Sequence, residues 1–531
     1  MPLAFMRKWA DIPSTARQPR RAVGQMDMAE AVSIQLDSQS PVDGAPGAQT
    51  ADGAEVPLCV DLDGTLIATD SLWEALLLLA KARPLDLAQA PFWASRGKAH
   101  FKQQVAQRVK VDVALLPYRQ DVLEFLREQR QSDRRLVLAT ASHRSVARAV
   151  ADHLGIFDEI VASDDENLLG EAKLAELEKR FGAGKFDYVG DSASDVCLWK
   201  AARRAYVVAP GRKLLGRAAA VCTPHRVFER ADVRNAIFKA LRPHQWVKNL
   251  LLLVPLILAH KLGDGHKVLA GAFAFLAFSL CASAIYILND LLDLESDRRH
   301  PTKRRRPFAS GKLSVQTGMA LSAGLLAMSF GISLLVPWQF RGLLAVYLVL
   351  TTAYSFWLKR KLLVDVILLS VLYTHRIISG AAAVDVPLTM WLLAFSMFFF
   401  LSLAFAKRYS ELIQVEDSGE EHIKGRGYEV RDLRVIESVG PTSGYLAVLV
   451  FCNYLDSPVV RDLYPGGRHL LLWLVAPVLL YWITRVWFIA RRRQLHDDPI
   501  IFAIRDRRSH ICGIVAGLIV LVASMHWKWP T

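Results

Sequence analysis

Two groups of carboxylates in this 531-residue chain have the types and spacing to act on phosphates. The first is Asp61-Leu62-Asp63-Gly64-Thr65, which follows directly on the apolar run Leu58 to Val60. A short strand running into two aspartates puts them at its carboxyl end, where open α/β sheets keep their sites. Thr140 closes a second apolar run, Lys173 comes next, and Gly190-Asp191-Ser192 with Asp195 closes a third, so each lies where a loop can meet the first aspartate. The second group is Asn289, Asp290, Asp293 and Asp297 at the end of a long apolar stretch. On a helix, positions i, i+4 and i+8 share a face with a residue three before the middle one, so all four are expected along one broad face. Like charges so close need a compensating cation, and an oxygen-only donor set suits Mg²⁺ shared with substrate phosphates. Such an ion neutralises a departing diphosphate and lets a carbon–oxygen bond ionise.

The two groups need scaffolds suited to different solvents. From Val56 to about Val221, short apolar runs (58–60, 136–139, 186–189, 206–208) alternate with helical stretches, which predicts an α/β domain over 56–225 with a helical insert at 71–119. After a linker at 226–241, apolar runs near membrane-spanning length recur over 242–531, nine of them, centred near residues 255, 279, 324, 348, 373, 397, 447, 479 and 519. Pro255, His260 and Lys261 make the first the weakest. Basic residues collect in alternate connections: Arg298 to Lys312, Lys359 to Lys361, Lys407 to Arg434 and Arg491 to Arg508. By the positive-inside rule those loops share the cytoplasmic face of an inner membrane with the first domain, and the C-terminus lies outside. Residues 1–55 have no sustained apolar period and are expected to be a disordered cytoplasmic leader, not a cleaved signal.

Composition agrees. The chain is 52% hydrophobic, which excludes a disordered or collagen-like protein. Its formal charge of +14 is accounted for by membrane orientation and phosphate handling, not nucleic acid. Six dispersed cysteines without a CxxC pair indicate neither a disulfide framework nor a zinc site.

In order and spacing, the motifs at Asp61/Asp63, Thr140, Lys173 and Asp191/Asp195 resemble those of the haloacid dehalogenase-like phosphatase superfamily, a Rossmann-like α/β fold with a small helical cap. The resemblance implies Asp61 as the nucleophile and Asp63 as the acid/base. It implies Thr140 and Lys173 as holders of the transferring oxygens, and a Mg²⁺ site among Asp61, Asp63, Asp191 and Asp195.

The second motif, in a chain of nine expected spans, resembles the UbiA superfamily of intramembrane transferases, an all-α bundle. Arg242 to Asn249, Arg298 to Pro307, Tyr354-Ser355-Phe356 with Lys359, Asp365 and Arg376, and Lys407 to Leu412 are similar to the branch that transfers phosphoribose to decaprenyl phosphate. That resemblance implies phosphoribosyl diphosphate and a polyprenyl phosphate as partners, with Asn289, Asp290, Asp293 and Asp297 as the Mg²⁺-binding catalytic group. Arg242, Lys248, Lys303, Arg304, Tyr354, Arg376, Lys407, Arg408 and Glu411 are the substrate-binding candidates. Where aromatic prenyltransferases carry a second Asp-rich motif, this chain has Lys407-Arg408-Tyr409-Ser410-Glu411-Leu412, which argues against a prenyl diphosphate donor. Prenyl transfer to a hydrophobic acceptor is the same-class alternative, and a transporter or scaffold with a regulatory soluble domain is the alternative of another class. Asp365 and Arg376 inside a span are expensive unless paired or functional, whereas Arg485 is expected to snorkel to the interface.

Overall fold

In the computed structural model the described residues are 56–525, without 165, 230, 231, 424, 496 and 497. The expected leader at 1–55 lies outside them.

Six parallel strands form the first domain: β1 (Leu58–Val60), β2 (Leu136–His143), β3 (Glu159–Ser163), β4 (Asp187–Gly190), β5 (Ala205–Val208) and β6 (Arg226–Phe228), in the order β3-β2-β1-β4-β5-β6. β1 is central because both its faces are covered, and a strand buried on both sides reads as an unbroken apolar run. Leu58 and Val60 enter one core layer with Leu136, Leu138 and Val189, while Cys59 enters the opposite layer with Val137, Ala139 and Tyr188. With β2 and β4 flanking β1, the carboxyl ends of all three strands lie side by side. The sheet continues past the expected boundary, since β6 falls within the stretch read as linker.

Between β1 and β2 comes a helical cap that includes α1 (Ser71–Ala82) and α2 (Lys98–Arg108). Asp70 starts α1 by accepting hydrogen bonds from Leu72 N and Trp73 N. Ala75, Leu79, Trp93 and Val105 give the cap its own small core.

After β6, α3 (Val233–Leu241) leads into a helical bundle and packs Ala236 and Ala240 against α4 (Gly265–Leu292). There follow α5 (Leu294–Arg299), α6 (Val315–Ser333), α7 (Trp338–Phe356), α8 (Val364–Val384), α9 (Met390–Asp417), α10 (Leu433–Leu455), α11 (Val475–Arg491) and α12 (Arg507–Ser524). Among the described residues seven helices are long and apolar enough to cross a membrane, against the nine expected. The two remaining segments have physical reasons to differ. Residues 243–258 are a run of 3₁₀ turns followed by the five-residue helix Val254–Leu258, with Pro255 near its start. α7 carries Gln339, Arg341, Thr351, Thr352 and Ser355, which lower its mean hydropathy.

The basic connections meet at one end of the bundle. There Lys359 Nζ lies 3.6 Å from Asp293, Arg426 Nη1 2.9 Å from Asp365 and Lys407 Nζ 3.3 Å from Asp498. At the other end Lys267 Nζ donates to Asp385 O at 2.9 Å and Arg468 Nη1 to Met525 O at 2.6 Å. The molecule is thus a multi-pass helical bundle carrying a sheet domain at its N-terminal side.

Candidate functional site

The adjacency of β1, β2 and β4 brings Asp61, Thr140 and Asp191 into one cavity of about 590 Å³, which Asp63 also lines. Lys173, fully buried, places its ammonium 3.0 Å from Asp61 Oδ1 and donates to Tyr188 Oη at 3.0 Å. Tyr188 in turn donates to Asp195 Oδ1 at 3.0 Å, so one buried chain links the lysine to both strand ends. Asp195 is further held by Ser192, whose N and Oγ donate to Oδ2 at 3.0 and 2.7 Å. Asp61, Asp191 and Asp195 each present a carboxylate oxygen within 4.8 Å of the others. Three oxygen donors so close, two of them buried, fit a hard divalent cation by donor chemistry and spacing.

The backbone makes room for this cluster. Gly64 has φ +79°, and a Cβ there would lie 2.1 Å from Asp191 Oδ2, so a side chain would occupy the place of the carboxylate. Asp63 stands apart from the other three: Ser71 N donates to its Oδ1 at 2.7 Å, and Ser142 Oγ donates to its Oδ2. It therefore does not join the candidate ion group, although the sequence reading counted it among the ligands.

Burial raises the pKa of Asp61, Asp63 and Asp191. Asp61 is pushed up to about 7 by desolvation, opposed by Lys173 and reinforced by Asp195 and Asp63. Asp191 is pushed up to about 8 by burial and then by Asp61 and Asp195. Asp63 rises to about 6 through burial and the nearby Asp70.

In the bundle the second acidic motif departs from the expected stripe. α4 stops at Leu292 and Asp293 leaves helical geometry, with φ −99° and ψ 13°, so Asn289 and Asp290 sit on one helix and Asp297 on the next. Protein cations already face its carboxylates. Arg242 Nη2 is 2.6 Å from Asp290, Arg306 Nη1 reaches both Asp290 at 3.1 Å and Asp297 at 2.6 Å, and Lys359 and Lys81 lie 3.6 and 3.9 Å from Asp293. The oxygen-only donor set suits Mg²⁺, but among the described residues no three of these carboxylates gather as Asp61, Asp191 and Asp195 do.

Most of the remaining candidates fall into two charge networks. Arg408, fully buried, pairs with Asp365 and Glu411, and Tyr354 Oη donates to Asp365 at 2.7 Å. Arg426 adds a second guanidinium to Asp365. Lys248 and Lys407 share Asp498, at 2.9 and 3.3 Å, and together hold its carboxyl well below the usual range despite burial. Arg376 has no carboxylate partner among the described residues. It donates to Asn249 Oδ1 at 3.0 Å and Tyr347 Oη at 3.2 Å, and its guanidinium lies 5.2 Å from the centre of the Tyr347 ring. Lys303 and Arg304 are exposed on a 3₁₀ turn. It is Arg306, in the same run, that enters the acidic motif. Arg485 does not reach out to the interface but pairs with Asp506 at 2.6 Å.

Arg306, Asp498 and Arg426 were not singled out from the sequence. An acid directly before a proline, between two arginine runs, was the available signal for Asp498.

Residues 250–528 match the model of the UbiA prenyltransferase family, more than half of the chain. The chain belongs to that family. Residues 58–200 match the haloacid dehalogenase-like hydrolase model, so this UbiA-family chain carries a hydrolase-like domain fused ahead of its bundle. It is 39% identical over 475 residues to the uncharacterized protein y4nM of Sinorhizobium fredii, covering 88% of this chain and 91% of that one. It is 36% identical to the nodulation protein NoeC of Azorhizobium caulinodans, covering 54% of this chain and 92% of the relative. It is 32% identical over 285 residues to decaprenyl-phosphate phosphoribosyltransferase of Mycobacterium tuberculosis, covering 52% of this chain and 90% of that enzyme. The match to the Sinorhizobium fredii protein thus runs over most of both chains, while the other two relatives match about half of this UbiA-family chain.

Proposed function

We propose that this UbiA-family protein is a bifunctional membrane enzyme. Its bundle transfers 5-phosphoribose from phosphoribosyl diphosphate to a polyprenyl phosphate, and its sheet domain hydrolyses a phosphate monoester, the 5-phosphate of that product. The observation that carries the hydrolase reading is that Asp61 and Asp191 line one cavity, with the buried Asp195 within 4.8 Å of both and the buried Lys173 at 3.0 Å from Asp61. Asp61 attacks phosphorus and forms an aspartyl phosphate, while Asp63, raised to about 6 and held by Ser71 and Ser142, protonates the departing sugar oxygen. Asp63 then takes a proton from the water that releases phosphate. Thr140 and Lys173 hold the transferring oxygens. A Mg²⁺ held by Asp61, Asp191 and Asp195 would offset the repulsion between a carboxylate and a phosphate dianion.

In the bundle, the bond from ribose C1 to diphosphate breaks and one from C1 to the lipid phosphate oxygen forms. The lipid phosphate is already anionic, so no strong general base is required. The alignment with decaprenyl-phosphate phosphoribosyltransferase supports this donor. So does Lys407-Arg408 where an Asp-rich motif would bind a prenyl diphosphate, since cations there suit an anionic acceptor. Arg242, Arg306 and Lys359, now on Asp290, Asp297 and Asp293, are the groups a diphosphate would engage. Mg²⁺ at Asn289, Asp290, Asp293 and Asp297 would supply further neutralisation of that leaving group.

Purified protein given labelled phosphoribosyl diphosphate and polyprenyl phosphate should form a labelled lipid, and Asp61→Asn should make its phosphorylated form accumulate. No labelled lipid from the wild type would overturn the transferase reading.

A further inference from the structure

The cavity that holds Asp61 is not walled by the sheet domain alone. Its far side is furnished by the bundle, by Lys312, Ser314, Gln316 and Thr317 in the loop and first turn leading into α6. The contact is fixed at three points. Gly311, with φ +73°, approaches so closely that a Cβ there would lie 2.6 Å from Ala68 Cβ and 3.1 Å from Pro117 Cβ. Gln316 Nε2 donates to Asp70 Oδ2 at 3.1 Å, seven residues beyond Asp63. Arg298 clasps Glu74 of α1 through two hydrogen bonds of 2.6 and 3.1 Å, both side chains buried.

Charge around this cavity is unevenly committed. Lys173 is engaged by Asp61, and Lys102 of the cap donates to Ala141 O and Asn167 Oδ1 at 2.6 and 2.7 Å. Lys312 lines the same cavity, is exposed, and among the described residues has no hydrogen-bond or ion-pair partner. A volume near 590 Å³ lies in the range of small-ligand pockets and is far larger than one phosphate needs.

We propose that the hydrolase site is a composite of both domains, in which Lys312 of the bundle seats a second phosphate. Its substrate is then a sugar bearing a phosphomonoester at Asp61 and a phosphodiester at Lys312, the phosphodiester being the link to a membrane lipid. Hydrolysis breaks the monoester P–O bond, water supplies the hydroxyl to phosphate and the proton to the sugar oxygen, and the phosphodiester is untouched. The proposal rests on the phosphatase reading above and adds which face selects the substrate.

The test uses the full chain in lipid nanodiscs with Mg²⁺ and three substrates: para-nitrophenyl phosphate, soluble 5-phosphoribosyl 1-phosphate, and 5-phosphoribose linked through a phosphodiester to a polyprenol. For Lys312→Glu, the ratio of kcat/KM for the doubly phosphorylated sugars to that for para-nitrophenyl phosphate should fall by about tenfold or more, as expected for loss of one charge-assisted contact, and Lys312→Arg should restore it. The wild type should take the lipid-linked substrate with a lower KM than the soluble one. An unchanged ratio in Lys312→Glu overturns the composite site, and equal KM values overturn its assignment to lipid. A wild type no more active than Asp61→Asn on any of the three overturns the phosphatase reading itself.

Discussion

Arg298, just beyond the acidic motif of the bundle, forms a two-pronged ion pair with Glu74 on the first cap helix of the sheet domain. Side-chain exposure is 7% for the arginine and 5% for the glutamate, so each charge depends on the other. Removing one partner from such a pair leaves an uncompensated buried charge. Arg298→Ala should therefore destabilise the protein by about 3 kcal/mol, read as earlier thermal unfolding and faster amide exchange in α1. The double substitution Arg298→Met with Glu74→Met should recover most of that loss. Recovery that fails would mean the pair is not the source of the effect.

Asp63 is the proposed acid of the hydrolase, and its carboxyl sits where Ser71 and Ser142 hold it without a cation. Asp63→Asn keeps shape and removes the proton. The expected result is a kcat on phosphomonoesters lower by about 10²–10⁴, with transfer of phosphoribose to lipid unaffected. A phosphatase assay alongside the labelled-lipid assay separates the two activities.

Raised carboxyl pKa values make metal binding and stability depend on pH in a fixed direction. Asp61 at about 7 and Asp191 at about 8 lie above the ordinary carboxylate value of 3.8, so the folded, metal-free protein holds more protons than the unfolded chain across that window. Its stability therefore falls as pH rises from about 4 to 8. A divalent ion needs these groups deprotonated, so Mg²⁺ affinity should rise over the same window, with proton release on binding. Thermal shifts with and without Mg²⁺ at pH 6 and 8.5 should show the larger gain at 8.5, and Asp191→Asn should abolish it. A gain independent of pH would place the ion elsewhere.

Asp365 lies at the first turn of α8, fully buried, between the guanidinium groups of Arg408 and Arg426. Asp365→Ala would leave the fully buried Arg408 with Glu411 as its one remaining carboxylate partner among the described residues. A loss on the order of 3 kcal/mol is expected, measured by unfolding in detergent. Lys303→Ala, an exposed change on a 3₁₀ turn, should unfold within about 0.5 kcal/mol of the wild type.

What the sequence made legible follows from local signals. β1, β2, β4 and β5 announced themselves as apolar runs because both faces of each are covered, and the residues ending β1, β2 and β4 were legible as a site for the same reason. β3 begins with Glu159, and β6 is an edge strand with Arg226 and Val227 exposed, so neither has the pattern of a buried strand. In the bundle, periodicity placed Asn289 and three aspartates on one face, yet nothing local said that the helix would break at Asp293. Nor could spacing say which cations would come to them: Arg242 arrives from 48 residues before Asp290, and only one arginine of the run 303–306 turns inward. The Lys248, Lys407 and Asp498 group joins three segments far apart in the chain, and such pairings are set by how helices pack.

The segment joining sheet to bundle was expected as a connector, and it is instead spliced in place, with Ala236 and Ala240 seated against α4. Residues 233–241 of that segment, folded as a helix and packed, cannot act as a swinging arm. On the proposed bifunctional reading, an intermediate made among the bundle helices would make the journey to Asp61 ferried by its own lipid tail, so the pace of the hand-over would track membrane viscosity and not the reach of a hinge in that helix.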